Sequence, residues 1–117
     1  MPYVDGFVLA VPKKNMPAYR RMSQKAGKIW KEHGALEYRE CAGDDLNIKF
    51  GLPFPKMMKL KAGETPVFSW IVYKSRAHRD SVNAKVMKDP RLKGNEKSMP
   101  FDIKRMAYGG FKVLVDL

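Results

Sequence analysis

Tyr3-Val4-Asp5-Gly6-Phe7-Val8-Leu9-Ala10-Val11 carries apolar side chains on both of its alternating faces. Tyr3, Phe7, Leu9 and Val11 share one parity, and Val4, Val8 and Ala10 share the other. Successive side chains of a strand point to opposite faces, so a strand that is apolar on both is covered on both. Val67 to Tyr73 reads the same way, with Phe68, Trp70 and Val72 against Val67, Ile71 and Tyr73. Two such strands belong at the centre of a sheet, and the rest of the chain must supply their covers.

Working outward, Pro12 stops the first strand. Asn15 is a good N-cap residue, and Pro17 falls in the first helical turn, where its missing N–H costs nothing. Tyr19, Met22, Ala26, Ile29, Trp30 and His33 then recur every three or four residues, with Arg21, Lys25, Lys28 and Glu32 opposite. This predicts an amphipathic helix of about five turns, closed by Gly34. Ala35 to Gly43 sets Leu36 and Tyr38 against Glu37 and Arg39, the pattern of a half-exposed edge strand.

After the second two-faced strand, Ser75 caps a predicted helix from Arg76 to Lys88, with Ala77, His78, Val82 and Val86 facing inward. Asp89-Pro90 ends it, because the residue before proline avoids helical geometry. Arg91 to Asp102, with Gly94, Asn95 and Pro100, is expected to be loop. The last strand is expected from Lys104 to Val115, with a bulge at Gly109-Gly110 bringing Tyr108 and Phe111 to a common face. Asp44 to Pro66 is irregular, and Phe54, Met57, Met58 and Leu60 suggest one short helical turn within it.

The order β-α-β-β-α-β is that of an α+β, ferredoxin-like protomer spanning residues 1–117 as one domain. Its four-stranded antiparallel sheet carries both helices on one face and leaves the other bare. A bare apolar sheet face is simplest to cover with a second copy of itself, so a homodimer through the open sheet face is expected.

Composition narrows the setting. The 117 residues are 44% hydrophobic and carry a formal net charge of +11. No apolar run approaches the roughly 18 residues that span a bilayer, and the N-terminal residues lack a signal-peptide pattern. Cys41 is the one cysteine, so no internal disulfide can form. These features predict a cytoplasmic protein with no membrane partner.

Several strings resemble a known family. They are Tyr3-Val4-Asp5-Gly6-Phe7, Glu32-His33-Gly34-Ala35-Leu36-Glu37-Tyr38-Arg39-Glu40 and Phe68-Ser69-Trp70-Ile71-Val72-Tyr73-Lys74-Ser75. Arg76-Ala77-His78-Arg79-Asp80, Val86-Met87-Lys88-Asp89-Pro90 and Arg105-Met106-Ala107-Tyr108-Gly109-Gly110-Phe111 continue the match. Together they resemble the YbaA-like proteins, small uncharacterised bacterial proteins of the dimeric α/β-barrel superfamily. The resemblance implies a ferredoxin-like protomer, a sheet-to-sheet dimer and a pocket between helices and sheet. Superfamily relatives include cofactor-free quinol monooxygenases, haem-handling enzymes and dehydratases, which is kinship of fold and not of reaction.

Candidate chemistry rests on few residues. With two histidines, one cysteine and no HxxxH or CxxC spacing, a metal site is disfavoured. His33 and His78 are candidates for proton transfer or lone haem ligation, or else close helix ends. Asp5 lies among apolar neighbours, which is costly unless it is paired, and Glu40 shares the Tyr38 face. Either carboxylate could act as a base, or could pair with an arginine such as Arg39 or Arg105. Tyr38, Trp70, Tyr73, Tyr108 and Phe111 could stack on a planar ligand or simply fill core and interface. No GxGxxG, GxxxxGK[ST] or GxSxG pattern occurs, Cys41 has no evident base, and Pro2 lacks tautomerase surroundings.

The expected site is therefore a pocket lined by Asp5, His33, Tyr38, Glu40, Trp70 and His78. It would bind or transform a small aromatic or planar metabolite without a cofactor. The alternative is a non-catalytic stress or interaction protein whose basic face meets RNA or another anionic partner.

Overall fold

The computed structural model describes residues 1–92 and 99–117, so the loop reading at Gly94 and Asn95 lies outside the described residues. The main elements are β1 (Tyr3–Pro12), α1 (Met16–Glu32), β2 (Glu37–Ala42), a short α2 (Phe54–Met57), β3 (Glu64–Tyr73), α3 (Arg76–Met87) and β4 (Ala107–Lys112). The strands form one sheet in the order β2-β3-β1-β4, antiparallel at every pairing. The two strands that are apolar on both parities hold the centre, and the alternating one lies at an edge. The fold is α+β and ferredoxin-like.

Odd-numbered residues of β1 and β3 face the helices. Ile71 and Tyr73 pack with Ile29 of α1 and with Val82 and Val86 of α3, and Leu9, Val11 and Val67 pack with Tyr19. Each fully buried aliphatic side chain of this kind contributes roughly 1.5–3 kcal/mol. His33 and Gly34 (φ +116°) end α1, and the Ala35 N–H donates to the Trp30 carbonyl at 3.0 Å, closing the last turn.

Several expectations are corrected. Asn15 is not the side-chain cap of α1: a 3-10 turn at Lys13–Asn15 already winds the chain, and the Asn15 amide donates to the Pro100 carbonyl at 3.0 Å. Ala77 is exposed, while Val82 and Val86 are buried as expected. β3 starts at Glu64, earlier than Val67, because Thr65 and Pro66 pair with Val11 and Ala10.

β4 is shorter than expected and holds no bulge. It runs in unbroken register from Tyr3↔Lys112 to Val8↔Ala107. The glycines serve close approach instead: a Cβ at Gly110 would lie 2.6 Å from Cε2 of Tyr3, whose ring occupies that space. Ile103–Arg105 forms a 3-10 turn before the strand.

The segment between β2 and β3 is tied down at its far end. Arg105 donates to both carboxylate oxygens of Glu64, at 2.6 and 2.9 Å, and to the Lys59 carbonyl at 3.3 Å. Midway along the segment, Phe54 meets Phe68 edge to face, with centroids 6.4 Å apart.

The sheet face away from the helices is apolar and uncovered. Phe68 and Phe111 are 46% and 61% exposed there, and a concavity of about 660 Å³ opens above the paired Gly6 and Gly109. No described helix is long and apolar enough to cross a membrane.

Candidate functional site

A cavity of about 490 Å³ lies between α1, α3 and the sheet. Register builds its floor. Glu40, Ser69, Phe7 and Tyr108 form one row across β2, β3, β1 and β4, and Tyr38, Ile71, Asp5 and Gly110 form the next. Aromatic and thioether groups, among them Trp30, Phe101 and Met106, supply half of the residues that line it.

Two polar centres face this space. At the first, both oxygens of Glu40 are engaged: the Tyr19 hydroxyl donates to Oε1 and the Tyr38 hydroxyl to Oε2, each at 2.7 Å. Burial and the neighbouring Glu40 charge push both phenols well above the ordinary tyrosine range. They stay protonated and act as fixed donors that orient the carboxylate. A carboxylate oxygen accepts more than one hydrogen bond, so Glu40 keeps capacity for a donor from a ligand.

At the second centre, buried Asp5 accepts from Arg79 of α3 at 2.8 Å. Burial raises the Asp5 carboxyl above its usual range, and the guanidinium opposes that shift. Arg79 also donates to Asp80 at 2.8 Å and lies 5.0 Å from the Tyr3 ring centroid. Asn83 extends the network, its carbonyl oxygen accepting from the Trp30 indole at 3.1 Å and from the Tyr73 hydroxyl at 3.2 Å.

Of the six residues expected to line the pocket, Asp5, Tyr38, Glu40 and Trp70 border this cavity. Trp70 also borders the hollow on the open face, and its indole N–H donates to Glu37 at 3.0 Å. The two histidines stand elsewhere. His33 ends α1 and meets Asp89 at 2.8 Å, where Arg91 joins Glu32 and Asp89. His78 sits in the first turn of α3, its Nδ1 accepting from the Lys74 N–H at 2.9 Å.

The expected arginine partners are also corrected. Asp5 pairs with Arg79, while Arg39 bonds Glu37 and Arg105 bonds Glu64. Glu40 is held by phenols. Register explains this: Arg39 points to the opposite face of β2 from Glu40, and Arg105 lies before β4. Tyr19, Ser69, Arg79 and Asn83 were not foreseen in the site. A signal existed for each, since Tyr19 lies on the apolar stripe of α1 and Ser69 on the inward parity of β3. Arg79 and Asn83 flank the Val82–Val86 stripe of α3. Among the described residues, no three His, Cys, Asp or Glu side chains cluster as metal ligands would.

Comparison with known proteins gives the same architecture. Two solved structures share the fold across nearly the whole chain. One, a dimeric ferredoxin-like protein from an uncultured marine organism, aligns over 100% of both chains with a TM-score of 0.61 at 15% identity. The other, an uncharacterised NIPSNAP domain protein from Burkholderia xenovorans, has a TM-score of 0.60 at 13% identity over 95% of this chain and 93% of its own. At such identities the likeness shows fold alone. In sequence, the chain is 48% identical over 116 residues to the uncharacterised protein YbaA of Escherichia coli K12, covering 99% of each. The YbaA protein of Shigella flexneri matches to the same degree. A family model described as "Protein of unknown function (DUF1428)" matches residues 2–103, and the chain belongs to that family.

Proposed function

We propose that this protein binds or transforms a small planar metabolite in the cavity between α1, α3 and the sheet, and does so as a homodimer joined through the open sheet face. The cavity carries the reading. A space of about 490 Å³ walled by aromatic and thioether groups, with two hydrogen-bonded polar centres, has the make-up of a small-molecule site. Exposed Phe68 and Phe111 on the open face support the dimer, as does the dimeric state given for the marine ferredoxin-like protein. Native mass spectrometry of protein purified gently from its host tests both parts. The expected species is a dimer that carries a small-molecule adduct. A monomer at micromolar concentration would overturn the dimer, and an adduct-free protein that retains no planar compound from a broad panel would overturn the binding site.

A second reading has one specific observation behind it. Arg20, Arg21, Lys25 and Lys28 lie on the solvent side of α1, and among the described residues no carboxylate stands within ion-pair distance of them. Such a stripe suits an RNA backbone, and salt-sensitive RNA binding lost on charge reversal of Arg21, Lys25 and Lys28 is its test.

A further inference from the structure

The charges that line the cavity do not cancel. Among the described residues, its charged side chains are Asp5, Arg79 and Glu40. Arg79 stands 2.8 Å from Asp5, so these two lining charges offset each other, and on its other side Arg79 meets Asp80 outside the lining. Among the described residues Glu40 has no cation within ion-pair distance. Both of its oxygens are met by the neutral hydroxyls of Tyr19 and Tyr38. The described lining therefore carries one surplus negative charge, inside a chain whose formal net charge is +11.

We propose that the cavity recognises an organic cation, a primary or secondary amine carried on an aromatic or otherwise planar body, with Glu40 as its counter-ion. The proposal rests on the reading of this cavity as a small-molecule site and names the ligand class. Each Glu40 oxygen accepts one phenolic bond and retains a lone pair for an ammonium N–H. The adjacent walls suit the same group. Trp30 and Tyr38 lie with ring centroids 6.3 Å apart, and aromatic faces attract an ammonium when water is excluded.

The other head groups fit less well. An anionic ligand would have to share Arg79 with Asp5 and Asp80, which already offset its charge, while meeting Glu40 as a like charge. A neutral hydroxyl could donate to Glu40 but would leave its charge uncompensated. The fixed phenols serve the amine, because they hold the carboxylate in one orientation before the ligand arrives.

Three compounds that differ only in head group test this: 2-phenylethylamine, 2-phenylethanol and phenylacetate. Binding to the full chain is read at neutral pH by calorimetry and by quenching of tryptophan emission. The amine is expected to bind about tenfold or more tightly than the alcohol, with phenylacetate weakest. Glu40→Gln should collapse the preference for the amine over the alcohol to about twofold, and Glu40→Asp, which restores the charge, should keep the preference. Circular dichroism melts establish that both variants are folded. Equal binding of amine and alcohol, tightest binding of phenylacetate, or an amine preference that survives Glu40→Gln would overturn the cation assignment while leaving the cavity a ligand site. Failure of all three compounds to bind would overturn both.

Discussion

Gly27 of α1 lies so close to Tyr38 of β2 that a Cβ at position 27 would sit 2.6 Å from Cδ1 of the tyrosine ring. The helix can approach the edge strand only because position 27 has no side chain. That approach helps to place the Tyr38 hydroxyl 2.7 Å from Glu40. A glycine in a helix interior costs roughly 0.5–1 kcal/mol relative to alanine, a cost this contact accounts for.

Gly27→Ala should therefore destabilise the protein despite its better helix propensity. Overpacking against the ring costs about 1–3 kcal/mol, which outweighs the propensity gain. In a Tyr38→Ala background the same substitution should become stabilising, by about 0.5–1 kcal/mol. Chemical denaturation of the four proteins in the cycle measures this, and a destabilisation unchanged by Tyr38→Ala would show that the ring is not the obstacle.

Arg79 is the group that makes Asp5 tolerable. Both side chains are mostly covered, at 19% and 6% exposure. Arg79→Met leaves a buried carboxylate without its cation and is expected to cost about 3–5 kcal/mol. Adding Asp5→Asn should recover a substantial part of that loss. Urea unfolding of single and double variants reads it, and strictly additive losses would refute the pairing.

The open sheet face should respond to charge. Phe68→Glu or Phe111→Glu places a carboxylate where the proposed partner copy would pack, and neither side chain lies in the core. Light scattering at micromolar concentration should show a monomer with an unchanged far-ultraviolet spectrum. A dimer that persists in both variants would locate the contact elsewhere.

Glu64 and Arg105 give a prediction in pH. Hydrogen bonds from Arg105 and from the Lys61 N–H lower the Glu64 carboxyl to about 2 from an ordinary value of 4.5. Since the folded value is the lower one, the stabilisation is fully present above about 4.5 and fades as the pH falls toward 2. The stability difference between the protein and Arg105→Gln should accordingly be constant from neutrality down to about pH 5 and then shrink. Denaturant melts at several pH values would detect a difference that instead grows in acid, contrary to this account.

Much of the architecture was legible in local pattern. The double parity of Tyr3–Val11 and Val67–Tyr73 placed both at the sheet centre, and the single parity around Leu36–Arg39 placed that strand at an edge. The stripe from Tyr19 to Ile29 was read directly from its spacing. Ser75 was read as a cap and accepts from the His78 N–H at 3.1 Å. The glycine pair at 109–110 misled, since glycine marks a bulge and a close approach with the same letter, and only the position of the Tyr3 ring distinguishes them.

The site was legible in its membership more than in its connections. Asp5 stood out because a carboxylate between apolar neighbours requires a partner, and Glu40 because parity set it beside Tyr38. Their partners did not. Arg79 is 74 positions from Asp5, and Tyr19 is 21 from Glu40. The two histidines drew notice by scarcity, yet both serve helix ends. The sequence by itself determined which way the side chains of β1, β2, β3 and the stripe of α1 point, because periodicity is a property of neighbouring residues. Tertiary structure alone decided which charge meets which, and so left Glu40 with phenols and Asp5 with a guanidinium. Those pairings follow from strand register and from the seating of helices on the sheet, which bring together residues that no local pattern relates.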